Sequence, residues 1–290
     1  MIVIHPGMVK SATTSLQEQV YARHPGIAFL GLPAPNPAAK AAIRQICRAD
    51  SIAYDEAAVA AALQPLAAAA GDRTAVLSYE NFALYESKDK GLVADRLQRL
   101  FPEARILLTI RRQQDLLAAW YLQKMQKYLR KGHFLTFEDW YAMKADLPNR
   151  SILDDLRYDR IVAAYAERFG RERVSVLLFE SLRQDPAAFA AALGEILAVD
   201  GGEIAARLAE RQANPTIPQN LLILGRSLFP LLPRPLARRL AKAMLRRGGP
   251  PARIDIGPEV TAAVAALCAE GNRRLAADHK LPLAEHGYLL

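Results

Sequence analysis

Four short runs rich in apolar and β-branched residues constrain the fold of this chain more than any other feature: Ile2–Ile4, Thr74–Leu77, Ile106–Ile110 and Val174–Leu178. A strand that is apolar at consecutive rather than alternate positions is covered on both faces, as in a parallel sheet. A fifth, weaker run covers Ile27–Leu30. Between the runs lie segments with helical spacing: Pro37–Ala49, Glu56–Ala69, Leu92–Phe101, Gln113–Arg130, Tyr158–Phe169 and Pro186–Leu197. Strands alternating with helices predict a three-layer α/β fold with a central parallel sheet and right-handed crossovers. After about Gly202 the strand runs stop. Helices are expected over Asn220–Phe229, Pro235–Arg246 and Pro258–Asp278, broken by Pro215, Pro218, Pro230, Pro233 and the Gly248–Pro251 turn. No linker, repeat or low-complexity block divides the 290 residues, so the expectation is one domain, with an α/β core over 1–202 and a helical extension over 203–290.

Composition excludes several function classes. Cys47 and Cys268 lie far apart and outside any CxxC, and His5, His24, His133, His279 and His286 have no metal-ligand spacing. Neither a disulfide framework nor a zinc hydrolase is expected, and no metal is expected. The apolar start Ile2–Ile4 is too short for a signal-peptide core, and no apolar run approaches the ~20 residues of a membrane span. The expected compartment is the cytoplasm. A net charge of +8 suits an anionic ligand without choosing among nucleotide, acidic glycan, nucleic acid or lipid surface.

The chemistry concentrates in His5-Pro6-Gly7-Met8-Val9-Lys10-Ser11-Ala12-Thr13-Thr14-Ser15-Leu16, between the first strand and the first helix. A helix start offers unpaired N–H groups and the positive end of the dipole to a phosphate or sulfate. Gly7 permits close backbone approach, Lys10 brings an ammonium, and Ser11, Thr13, Thr14 and Ser15 bring hydroxyl donors. A nucleotide-kinase loop needs a glycine directly before its lysine; here Val9 stands there. The second strand ends in Ser78-Tyr79-Glu80 and the third in Arg111-Arg112, neither of which looks like a magnesium site.

The segment Gly7–Leu16 resembles the 5′-phosphosulfate loop of sulfotransferases that use 3′-phosphoadenosine 5′-phosphosulfate (PAPS), in particular bacterial, carbohydrate-type members. In that family a glycine is followed three residues on by a lysine, then by small or hydroxyl residues and a Thr-Thr or Thr-Ser pair. A second family element, an arginine ending a strand with a serine eight residues later, binds the 3′-phosphate. Arg111 matches the arginine; the serine position is Ala119, so one hydrogen bond to that phosphate is missing. Candidates to replace it are Arg112, the Ser151 region, a water molecule and the Arg246-Arg247-Gly248-Gly249 turn. Softer resemblances cover Tyr165–Leu197, with Phe179-Glu180-Ser181-Leu182 and Asp185-Pro186, and the stretch from Asn272 to Tyr288. The resemblance implies a P-loop-like fold and PAPS as donor, with PAP as product. It places Gly7, Lys10, Ser11, Ala12, Thr13, Thr14, Ser15, Arg111 and Ala119 around the donor.

It also implies a reaction: sulfonate transfer to an acceptor hydroxyl, on a glycan, glycolipid or other small molecule, by in-line attack. Catalysis then rests on positioning and charge stabilisation. Lys10 stabilises charge on the departing phosphate, and a general base takes the acceptor's proton. Glu80 is the first candidate base, since strand ends of a parallel sheet converge on the ligand crevice; His5, beside the loop, is the rival. Asp115 is expected to orient Arg111 across an i,i+4 pair. A basic and aromatic stripe on the helix after Arg111, including Trp120, Gln123 and Lys124, suits an anionic or glycan acceptor.

From Gln212 to Ile254 there is no acidic residue, while eight Arg or Lys residues alternate with leucines. Such a segment, 220–247 above all, fits an anionic membrane surface, an acceptor lid, or a packed helix with solvated arginines. No nucleic-acid-binding module is recognisable, and no nucleic acid is expected as partner. Two alternatives stand beside sulfonate transfer: a P-loop kinase using ATP and magnesium, and a non-enzymatic basic protein binding membrane or nucleic acid.

Overall fold

The structure, a computed structural model, describes residues 1–32, 35–84, 89–147, 151–210 and 217–290. The five apolar runs form the five strands β1 (Ile2–His5), β2 (Ile27–Phe29), β3 (Thr74–Ser78), β4 (Arg105–Ile110) and β5 (Val174–Leu178). All pair in parallel, in the order β2-β3-β1-β4-β5. Alternation along each strand sends neighbours to opposite faces, and this sheet buries both. Ile4, Leu77, Ile106 and Leu108 join one apolar cluster. Val3, Val76 and Leu107 join a second. The consecutive apolar residues in the sequence are therefore two cores read alternately.

The helices are α1 (Thr13–Ser15), continued by a π-helical segment Leu16–Tyr21, then α2 (Pro37–Arg48), α3 (Glu56–Ala68), α4 (Lys90–Leu100) and α5 (Gln113–Leu129). They are followed by α6 (Phe137–Ala145), α7 (Tyr158–Phe169), α8 (Phe179–Gln184), α9 (Pro186–Leu197) and α10 (Gly201–Ala209). Finally come α11 (Gln219–Leu228), α12 (Arg234–Arg247) and α13 (Gly257–His279). Leu16, Val20 and Tyr21 share the second cluster with residues of α8, α9 and α10. The first cluster takes the remaining face, including Leu221, Ala237, Val264 and Leu275 from α11, α12 and α13.

Side-chain caps start most of the long helices where the sequence places them. Asn36, Asp55, Asp89 and Asp185 each accept from the N–H three residues on, at the starts of α2, α3, α4 and α9. Three helices lie outside the expected set. The α6 helix opens on Thr136, which accepts from the Asp139 N–H; α8 has six residues and no side-chain cap; α10 opens on two glycines that Asp200 caps. Gly201 is required there, because a Cβ would stand 2.9 Å from the Ala191 Cα of α9. The expected boundary at residue 202 falls inside α10. Pro215 and Gln212 lie outside the described residues.

One internal charge organises the first layer. Arg96 of α4 is buried, lies 3.9 Å from the centre of the Tyr54 ring, and donates to the carbonyls of Ile46, Ala49 and Asp50 at 2.9, 2.8 and 3.0 Å. It thus satisfies the orphan carbonyls at the end of α2 and meets the negative end of its dipole.

The strand order fixes where a ligand can sit. The chain leaves β1 toward β2 and leaves β4 toward β5, so the order reverses between the adjacent strands β1 and β4. In open parallel sheets that reversal leaves a crevice outside the carboxyl ends. The segments following β1, β3 and β4 flank it.

Candidate functional site

After β1 the chain curls through Gly7–Ala12 into α1. Gly7 is fixed by Thr13: a Cβ on Gly7 would come within 2.4 Å of the Thr13 Cγ2 and 2.5 Å of its Oγ1. Thr13 is buried and donates to the Met8 carbonyl at 3.0 Å, while buried Ser11 donates to the Val9 carbonyl at 3.3 Å. Two of the four hydroxyls thus hold the loop to itself. Lys10 and Ala12 have φ of 60° and 67°, in the left-handed region that non-glycine residues enter at a cost of about 1–3 kcal/mol each. Met8 and Val9, both buried, anchor this contour. What remains directed outward is the Lys10 side chain, which feels the Glu80 charge, and the hydroxyls of Thr14 and Ser15.

These groups line a cavity of about 350 Å³ at the carboxyl ends of the strands, together with Glu80, Arg111, Ala119, Trp120, Gln123 and Phe179. Glu80 opens a 3-10 turn, Glu80–Phe82, directly after β3. Arg111 follows β4; its guanidinium donates to the Lys10 carbonyl at 3.0 Å and lies 4.7 Å from the centre of the Phe179 ring. The Arg111 Nε is buried and has no hydrogen-bond partner among the described residues. Burial lowers the Lys10 pKa, the Glu80 carboxylate opposes that, and the Arg111 charge adds to it. Burial likewise lowers the Arg111 pKa, against the pull of Asp115 and Glu180. The cavity therefore holds two cations and one carboxylate, half-withdrawn from water, around hydroxyl donors. That set can bind anionic groups and accept a proton close by.

Eight of the expected site residues line the cavity: Lys10, Ala12, Thr13, Thr14, Ser15, Glu80, Arg111 and Ala119. Gly7 and Ser11 shape the loop behind it. His5 is placed elsewhere. It is fully buried below the loop, with Nδ1 2.9 Å from the Ser78 Oγ and Nε2 3.3 Å from the Thr109 Oγ1. Burial lowers its pKa to about 3, so a neutral imidazole ties the ends of β1, β3 and β4 together. Gln17 joins the same network by donating to the Ser78 Oγ at 3.0 Å.

Asp115 differs from expectation as well. It pairs with Arg112, at 3.0 Å to Nε and 2.6 Å to Nη2, across an i,i+3 spacing. Arg111 is turned under the loop instead, toward the Lys10 carbonyl. None of the protein groups suggested as substitutes for the serine at 119 lines the cavity. Arg112 is held by Asp115, and the Ser151 Oγ accepts from the Leu153 N–H at 3.2 Å. Arg246 shares a hollow with Arg130, Lys242 and Leu245 on the far part of α5.

Sequence reading missed Phe179 and Val9 as wall residues. It also missed the part played by Glu180. This buried carboxylate accepts from the Arg112 N–H at 3.0 Å and from the Tyr288 hydroxyl at 2.9 Å, which fixes the path of the chain out of β4. Nearby, the Gln113 and Asn272 amides bond to each other, and Gln114 donates to the Gly287 carbonyl at 3.0 Å. An aromatic residue directly after a strand, and the Glu-x-Leu run behind it, were the available signals. Among the described residues no group of three or more His, Cys, Asp or Glu side chains is placed to hold a metal ion.

No protein-family model matches the sequence, and no curated protein matches it. Solved structures do. A crystal structure of a sulfotransferase from Alicyclobacillus acidocaldarius superposes with a TM-score of 0.58 over 98% of this chain and 96% of that one, at 17% identity. A mouse sulfotransferase complexed with PAP matches at a TM-score of 0.40 and 16% identity, over 72% of this chain and 62% of that one. A sulfotransferase domain from the curacin biosynthetic pathway matches at 0.35 and 13%, over 66% and 69%. The first of these shares its fold with this chain from end to end: a five-stranded parallel sheet flanked by helices, P-loop-like in its arrangement.

Proposed function

We propose that this chain transfers a sulfonate group from PAPS to an acceptor hydroxyl, the acceptor being a glycan or glycolipid. The observation that carries this reading is the meeting of Lys10, the Thr14 and Ser15 hydroxyls, Glu80 and Arg111 on one cavity. The shared fold with a sulfotransferase structure supports it. The residues fit a donor with two anionic ends. Lys10, Thr14, Ser15 and the N–H groups opening α1 hold the phosphosulfate, and Arg111, with its unpartnered Nε, holds the 3′-phosphate.

The donor supplies an activated sulfonate on a phosphate leaving group. Lys10, its ammonium partly withdrawn from water, stabilises the charge that develops on that phosphate. Glu80, across the cavity, takes the proton of the attacking hydroxyl. His5, buried with its ring nitrogens on Ser78 and Thr109 and its pKa lowered by burial to about 3, fits that role less well than Glu80.

Calorimetric titration with PAP, alongside ADP with magnesium, tests the reading on wild type and Lys10→Ala. PAP binding that falls at least about tenfold in the variant, as expected for one lost charge-assisted contact, supports it. Glu80→Gln should keep PAP binding and lose transfer of labelled sulfonate. Absence of PAP binding to the wild type, or a preference for ADP with magnesium, overturns it.

A further inference from the structure

The helical hairpin α11–α12 carries a surface that the donor site does not use. On α12, Arg234, Arg238, Lys242 and Arg246 recur at every fourth residue and all are exposed, while Ala237 and Ala241 are buried against the rest of the protein. The helix is therefore docked with its cationic side outward. The end of α5 extends the same side. A Cβ on Gly132 would stand 2.5 Å from the Arg234 carbonyl, and Arg130 shares a hollow with Lys242 and Arg246.

Elsewhere on the surface arginines meet acids: Arg99 with Glu56, Arg168 with Asp95, Arg173 with Glu103. Among the described residues, none of the cations of α12 has such a partner. The sequence explains this, since no acidic residue occurs between Gln212 and Ile254. At the turn into α12 the chain also exposes two large apolar side chains beside those charges, Leu231 at 78% and Leu236 at 51%. Pro230 and Pro233 are exposed around them. Uncompensated cations alone would fit any polyanion. Cations beside exposed leucines on a rigid turn fit an anionic interface with an apolar interior.

We propose that the α11–α12 hairpin docks on anionic lipid bilayers, with Leu231 and Leu236 entering the interface and the α12 cations lying among the headgroups. Attachment is peripheral, because no described helix is long and apolar enough to cross a membrane. The inference stands apart from the donor reading, since no α12 residue lines that cavity. It gives a glycolipid acceptor a route to the protein, α5 running from the cavity wall at Trp120 and Gln123 to the docked face.

Vesicle flotation of the full chain tests it, with phosphatidylcholine alone and mixed with phosphatidylglycerol, at low and high salt. Binding to the anionic vesicles only, and lost at high salt, is expected. Each neutralisation among Arg238→Gln, Arg239→Gln and Lys242→Gln should weaken it about fivefold. Leu231→Gln with Leu236→Gln should weaken vesicle binding while leaving any affinity for soluble heparin unchanged. All five positions are exposed or at the turn, and an unchanged thermal midpoint confirms that each variant folds; should the multiple variants fail this, Leu231→Gln alone is read the same way. No binding to either vesicle overturns the proposal. So does vesicle binding insensitive to the leucine changes with equally tight binding to heparin or duplex DNA, which would make the face a site for soluble polyanions. PAP titration of the same samples keeps either outcome separate from the fate of the donor site.

Discussion

Lys10 shows how much of a site one residue's surroundings decide. Its left-handed backbone, the Arg111 guanidinium bonded to its carbonyl and the Glu80 charge together hold one ammonium at the cavity. The residue types at Lys10, Thr13–Ser15, Glu80 and Arg111 were legible because their chemistry is local to strand ends. The partners were not. Arg111 finds the Lys10 carbonyl 101 residues away, and His5 finds Thr109 across 104, distances that no spacing rule reaches. At this scale Ala119 offers a direct test, being a methyl on a wall otherwise set with donors. Restoring the hydroxyl with Ala119→Ser should raise PAP affinity about tenfold, the worth of one charge-assisted hydrogen bond. ADP, lacking the 3′-phosphate, should gain nothing, and calorimetry with both nucleotides reads the difference.

Elements were legible in proportion to the strength of their punctuation. The five strands stood out because both faces are buried, and helices with an Asn or Asp cap began within two residues of expectation. The short α8 has no side-chain cap and opens directly from β5, and α10 begins with two glycines that disfavour a helix. Tertiary contact makes both. Tertiary contact also finishes α2, whose final carbonyls depend on Arg96. Arg96→Met keeps the volume and the ring contact with Tyr54 but leaves several buried carbonyls without a donor. The variant should lose about 3 kcal/mol of stability, the scale of one or two charged hydrogen bonds, with little change in PAP affinity. Urea unfolding measures the first and titration the second.

The whole molecule is a sheet whose order brings three strand ends together and whose two faces are sealed by separate apolar clusters. Parallel pairing followed from the sequence; the order β2-β3-β1-β4-β5 did not, because it depends on which crossovers pack best. At the centre of that arrangement lies the neutral His5, and it makes global stability depend on pH. Above its ordinary value of 6.5 the imidazole is neutral in both folded and unfolded chains. As pH falls below that value the unfolded chain gains a proton, while the folded chain resists until about pH 3. Stability therefore falls with acidification in this window, by about 1.4 kcal/mol per pH unit from this group. Urea midpoints at stepped pH should fall less steeply for His5→Gln than for wild type below pH 6.5, even if that variant is less stable at neutrality. The link from Arg112 through Glu180 to Tyr288 carries a consequence of another kind, in time. On the ribosome Glu180 is made 108 residues before the tyrosine that clasps it, so the sheet can close long before the exit of β4 is pinned. The exit of β4 can therefore be pinned only after α11, α12 and α13 have been made.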